Sequence, residues 1–139
     1  MATKENNTSS NNSYKLIGYW ISTSDYDYET MIDLYRSKRY HWALFMGHLS
    51  IEKLLKAYYV KVKRENPPFI HNLLRLAEKA DLELDNEQKN ILATLTTFNI
   101  NTRYDDYKLS FYKTCTREFT KKWIEHIKDY RQWIKELLK

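Results

Sequence analysis

The chain has 139 residues, a length that suits one domain able to bury a core without disulfide or metal staples. Gly and Pro number two each, too few for the frequent turns of a strand-rich fold, so long helices with few connections are expected. The net charge is +5, and the single Cys115 excludes an intrachain disulfide.

Residues 1–13, rich in Asn and Ser, read as a disordered polar tail without the apolar centre of a signal peptide. The domain is expected over 14–139. Leu16, Ile17, Trp20, Ile21, Tyr28, Met31, Ile32 and Tyr35 recur at three- and four-residue steps, which predicts an amphipathic helix over 14–36. Its acids, Asp25, Asp27, Glu29 and Asp33, lie mostly off that stripe. Ser37-Lys38-Arg39 is too short a break for anything but an antiparallel hairpin into the next helix.

That next helix, Tyr40 to Val62, organises the chain. Its first half is apolar in every direction (Trp42, Ala43, Leu44, Phe45, Met46, Leu49), as in a helix buried on most sides. In the second half Ile51, Leu54, Leu55, Tyr58 and Val62 gather on one side, and Glu52, Lys53 and Lys56 on the other. Glu52 and Lys56 form an i,i+4 pair, and the charged residues are expected as a stripe reaching the surface. Asn66-Pro67-Pro68 stops the helix, because a residue before proline leaves the helical region and prolines cannot extend the ladder.

Leu73, Leu74, Leu76, Ala77 and Ala80 predict a short helix over 70–81. Here His71 could cap orphan backbone groups. Asp85 followed by Gln88 forms a capping box, opening a helix with Ile91, Leu92, Leu95 and Phe98. Its Thr- and Asn-rich end is expected to fray or bend at 99–103. Residues 104–112, YDDYKLSFY, read as a loop or irregular turn. Phe119, Trp123, Ile127, Tyr130, Ile134 and Leu137 then mark a long last helix over 113–138. The fold class is an all-α up-and-down bundle of four long helices and one short one.

The chain lacks a Gly-rich phosphate loop, Cys/His metal spacing and a nucleophile elbow, so no cofactor or metal is expected. No apolar run reaches membrane-spanning length, and a reducing, cytoplasmic setting fits the lone cysteine. Residues 36–64 carry eight Lys/Arg against one acid, and residues 113–139 carry eight against four. Such segments are either solvated helix faces, the commoner case, or a nucleic-acid footprint.

One set of motifs carries a resemblance. Trp20 and Asp27 are followed by Tyr40-x-x-Ala43-x-Phe45 and Glu52-Lys53-x-Leu55-Lys56-Ala57. Then come Pro67-Pro68-x-x-His71-Asn72-Leu73 and Phe98-Asn99-Ile100-x-x-Arg103-Tyr104. In order and spacing these resemble the HEPN family (higher eukaryotes and prokaryotes nucleotide-binding) over about residues 15–138. The resemblance implies a helical bundle that commonly forms a homodimer. It also implies a small nucleotidyltransferase partner, in toxin–antitoxin or defence modules, and a nucleotide or RNA as ligand. Several branches of the family are metal-independent endoribonucleases with an Arg-x(4–6)-His motif. There Arg would neutralise transition-state charge and His would move the 2′-hydroxyl proton.

Arg103 falls at the motif arginine, and the histidine positions hold Lys108, Leu109 and Ser110. Asp105 stands where the most similar branch carries proline, and Asp105-Asp106 would repel phosphate. The resemblance therefore implies a non-catalytic nucleotide-, RNA- or partner-binding module, with an endoribonuclease toxin as the alternative. Arg103 is the candidate for any catalytic role. Arg103, Tyr104, Lys108, Glu52, Lys53 and Lys56 are the candidate ligand-binding residues. Arg103 could equally fix the end of its own helix by hydrogen-bonding terminal carbonyls.

Overall fold

The computed structural model describes residues 2–139, with side chains from residue 12 onward. The tail expected at 1–13 lies for the most part outside the described side chains. The helices are α1 (Ala2–Arg36), α2 (Tyr40–Lys63), α3 (Leu73–Lys79), α4 (Asn86–Arg103), α5 (Asp105–Thr114) and α6 (Arg117–Leu137). No strand occurs among the described residues. The fold class is the expected all-α bundle, with six helices in place of five. The added one is α5, which occupies the stretch read as a loop or irregular turn.

Backbone geometry explains α5. Tyr104 is extended (φ −97°, ψ 125°) and interrupts the ladder between α4 and α5. Asp105 and Asp106 then sit in the first turn of α5, where carboxylates complement the helix dipole. Only Phe111 of this helix is buried, so no apolar stripe betrays it in the sequence. With α5 ending at Thr114, the last helix begins at Arg117 instead of 113, capped by the Thr116 side chain accepting from Phe119 N–H. The end of α4 does not fray before Arg103. Asn99 and Thr102 are buried there, and Arg103 Nη1 donates to Asn99 Oδ1 at 3.0 Å.

The remaining connections follow local rules. Lys38, at φ 64°, makes the α1–α2 hairpin turn, and Arg39 N–H closes it on Leu34 C=O. Arg64, at φ 59°, ends α2 with its N–H on Val60 C=O, two residues before Asn66-Pro67-Pro68. Asn72, not His71, caps α3 by accepting from Arg75 N–H. The capping box of Asp85 and Gln88 forms as expected. Lys61 Nζ holds the far end of α6, donating to Leu137 C=O and Lys139 C=O at 2.9 Å each.

α2 lies at the centre and touches each of the other five helices. Leu44, Ile51, Leu54 and Leu55 are fully buried on it, facing Met31, Leu92, Leu95, Ile127 and Ile134. Each such side chain stabilises the fold by about 1.5–3 kcal/mol relative to exposure. Gly47 lets three helices approach closely: a Cβ there would run into Ile127 of α6 and Met31 of α1.

Two expectations about α2 are corrected. Trp42, read as core, is 37% exposed, because only its neighbours Ala43 and Leu44 turn inward at the start of the helix. The charged stripe is largely covered: Glu52 is 3% exposed and Lys56 6%, and only Lys53 keeps part of its side chain at the surface. Trp20 of α1 covers Lys56, and the segment before α3 reaches Glu52 through His71.

Candidate functional site

The candidate residues fall into two groups, both built on α2 but roughly three turns apart, about 16 Å along the axis. The first centres on Glu52. Its Oε2 accepts from Lys56 Nζ at 3.1 Å, and its Oε1 accepts from His71 Nδ1 at 2.9 Å. A carboxylate can only accept, so His71 carries its hydrogen on Nδ1. His48 Nε2 donates to the His71 carbonyl at 2.9 Å and lies 3.9 Å from Glu52 Oε1. Lys56 also stands over the Trp20 ring at 5.3 Å. One turn away, Lys53 Nζ is 2.5 Å from Asp27 Oδ2 of α1. The three charges of the α2 stripe are thus matched within the chain. They tie α1 and the α2–α3 segment to the central helix.

His48 is wholly buried, and its Nδ1 has no partner. Burial lowers its pKa, with the Glu52 carboxylate and the His71 carbonyl opposing; the charges of His71 and Lys56 lower it further. The ring is therefore neutral in the folded state. In the unfolded chain it titrates near 6.5. Below that pH the unfolded state takes up a proton that the folded state refuses, so stability falls with pH, by at most about 1.4 kcal/mol per unit from this group. Urea denaturation between pH 7.5 and 5.5 should show this slope, and His48→Gln should reduce it, leaving the smaller share of His41. An unchanged slope in the variant would remove His48 from the cause.

The second group joins α5 to the start of α2. Lys108 Nζ lies 5.0 Å above the Trp42 ring, and His41 meets Tyr112 edge-on at 5.4 Å. Arg103 stands 5.9 Å from the Tyr104 ring while it holds Asn99. Tyr104, Tyr107, Leu109 and Tyr112 are all more than half exposed. A depression of about 350 Å³ is lined by His41, Asp105, Lys108, Leu109 and Tyr112. A second, of about 310 Å³, lies on the other side of His41 and Tyr112 and adds Lys38, Tyr40, Lys113 and Cys115. Burial and the Lys108 charge both lower the His41 pKa. Cys115 offers no thiolate here, since burial pushes its thiol up to about 12.

Of the six sequence-derived candidates, Lys108 lines a depression, and Arg103 and Tyr104 sit at the α4–α5 junction beside it in the chain. Glu52, Lys53 and Lys56 belong to the internal cluster. From the sequence, Trp42 and Tyr112 are not candidates, and His41 enters only through an Arg36-x4-His41 spacing that spans the hairpin break and reads as a chance match. Aromatic residues beside the basic pair Lys38-Arg39 were the available signal, hidden because Trp42 reads as core. No group of three or more His, Cys, Asp or Glu suited to a metal occurs among the described residues. No described helix is long and apolar enough to cross a membrane.

No curated protein and no solved structure matched the chain. A family model, described as the HEPN domain, matches residues 17–137 and so spans nearly all of the bundle, from α1 to the end of α6. The chain belongs to the HEPN domain family.

Proposed function

We propose that this HEPN chain is a non-catalytic nucleotide- or RNA-binding module whose binding face is α5 with the start of α2. The observation that carries the reading is the pairing of cations with exposed aromatic faces: Lys108 over Trp42, Arg103 over Tyr104, and Lys113 beside Tyr112 and His41. Bases stack on such rings while neighbouring Lys and Arg donate hydrogen bonds and neutralise phosphate. The charged groups of α2's second half, Glu52, Lys53 and Lys56, supply no comparable open surface, because they are paired within the chain.

Fluorescence anisotropy with a short single-stranded RNA should register binding that weakens as salt rises. Lys108→Ala and Arg103→Ala should each reduce affinity by about three- to tenfold. Equal affinities for the variants and the parent would overturn the proposed face. The module is further proposed to act in the cytoplasm as a homodimer beside a small nucleotidyltransferase. Sedimentation showing only a species of about 17 kDa at micromolar concentration would count against the dimer.

A second reading, a metal-independent endoribonuclease toxin of a toxin–antitoxin or defence module, draws on His41. This histidine is absent from the Arg103-x(4–6) spacing, yet it lines the same depression as Lys108. Held toward its neutral form, it could accept a 2′-hydroxyl proton. RNA cleavage without added metal, abolished by His41→Ala, would replace the binding reading with this one.

A further inference from the structure

The two depressions on the α2–α5 face share a wall, the edge-on pair of His41 and Tyr112, but differ in chemistry. On one side stand Asp105 and Lys108; on the other stand Lys38 and Lys113 without an acid. Neither Asp105 nor Lys108 is engaged in an ion pair among the described residues, although they lie on the same helix at i,i+3. Lys108 turns to the Trp42 ring instead. The face thus offers a hydrogen-bond acceptor and a donor in one hollow, and a purely cationic hollow next to it.

We infer that this paired hollow is a guanine nucleotide site, with the base beside Asp105 and Lys108 and the phosphate beside Lys38 and Lys113. The inference rests on the nucleotide-binding reading and deepens it. A carboxylate has two acceptor oxygens and no donor, which suits the N1–H and N2–H₂ edge of guanine. The ammonium of Lys108 donates, and guanine O6 lies next to N1–H to accept. Adenine and cytosine present an amino donor followed by an acceptor, the wrong order for this pair. Uracil presents O4 and N3–H but has no second donor for the carboxylate. Tyr112 and His41, which line both hollows, supply ring surfaces for the base. Each hollow is of the volume that small-ligand sites occupy. Asp105, which would repel a phosphate placed against it, then faces the one part of a nucleotide that wants a carboxylate.

The test is calorimetric titration of the full chain with GMP, IMP, AMP, CMP and UMP, and anisotropy with single-stranded RNA alongside. GMP should bind about tenfold or more tightly than AMP and CMP. IMP, which lacks only the N2 amino group, should lose part of that advantage. Asp105→Asn should erase the preference for GMP, and circular dichroism will show whether the variant keeps its helices. The double change Lys38→Ala with Lys113→Ala should weaken all five nucleotides together. Equal binding of GMP and AMP, RNA binding without any mononucleotide binding, or a preference surviving in Asp105→Asn would overturn the guanine assignment alone. Failure to bind any nucleotide or RNA would overturn the binding reading as well.

Discussion

Replacing Glu52 with Ala is expected to lower the unfolding free energy by about 3–5 kcal/mol, because it leaves a buried charge without its counter-ion. The Lys56 side chain is 8% exposed and the Glu52 side chain 5%, so water cannot take over the lost partner. The same carboxylate holds the His71 ring. That ring is more than half exposed and screened by solvent, so its share of the loss is small. Urea denaturation measures the effect. Combining Glu52→Ala with Lys56→Met should recover much of it, since an apolar side chain of similar length removes the orphan charge. A loss below about 1 kcal/mol for the single variant would show that water reaches the pair and that the cluster does not hold the bundle.

The second large effect is expected at Phe98, where Ala should cost about 3–5 kcal/mol. Phe98 is 2% exposed and stands 5.3 Å from both Phe111 of α5 and Trp123 of α6, with Phe119 at 6.3 Å. The Phe111 ring is stacked and the other two approach edge-on, geometries that add to the area buried. Phe111 is the only buried residue of α5, so truncating Phe98 also removes the contact that seats this helix. RNA binding should therefore decline in Phe98→Ala before global unfolding, whereas Phe98→Leu should retain most of the stability. If α5 kept its hydrogen-exchange protection in Phe98→Ala, the ring cluster would not be its anchor.

These two sites mark different routes from sequence to structure. Phe98 was legible as core from the spacing Ile91, Leu92, Leu95, Phe98, and its burial follows from hydrophobic periodicity alone. Glu52 and Lys56 were legible as a helical pair, but their burial was not. Local pattern places charges opposite the apolar stripe, while only the approach of Trp20 and His71 from other parts of the chain shows that the opposite side is covered.

The candidate site divides in the same way. Arg103, Tyr104 and Lys108 could be named from their order in the chain. His41 and Tyr112 are far apart in sequence and come together only because α5 folds back against the first turn of α2. α5 itself was hidden, since a helix with one buried residue leaves no periodic trace. The sequence alone determined the helical class, the hairpin at Ser37–Arg39, the end of α2 before the prolines and the capping box at Asp85. Each of these depends on neighbours within a few residues. The tertiary structure alone decided that Glu52 and Lys56 of α2 face inward and that Trp42 faces out. It also decided that Asp105 and Lys108 share a hollow with His41. Burial and charge pairing depend on what arrives from distant parts of the chain, and no local pattern records that.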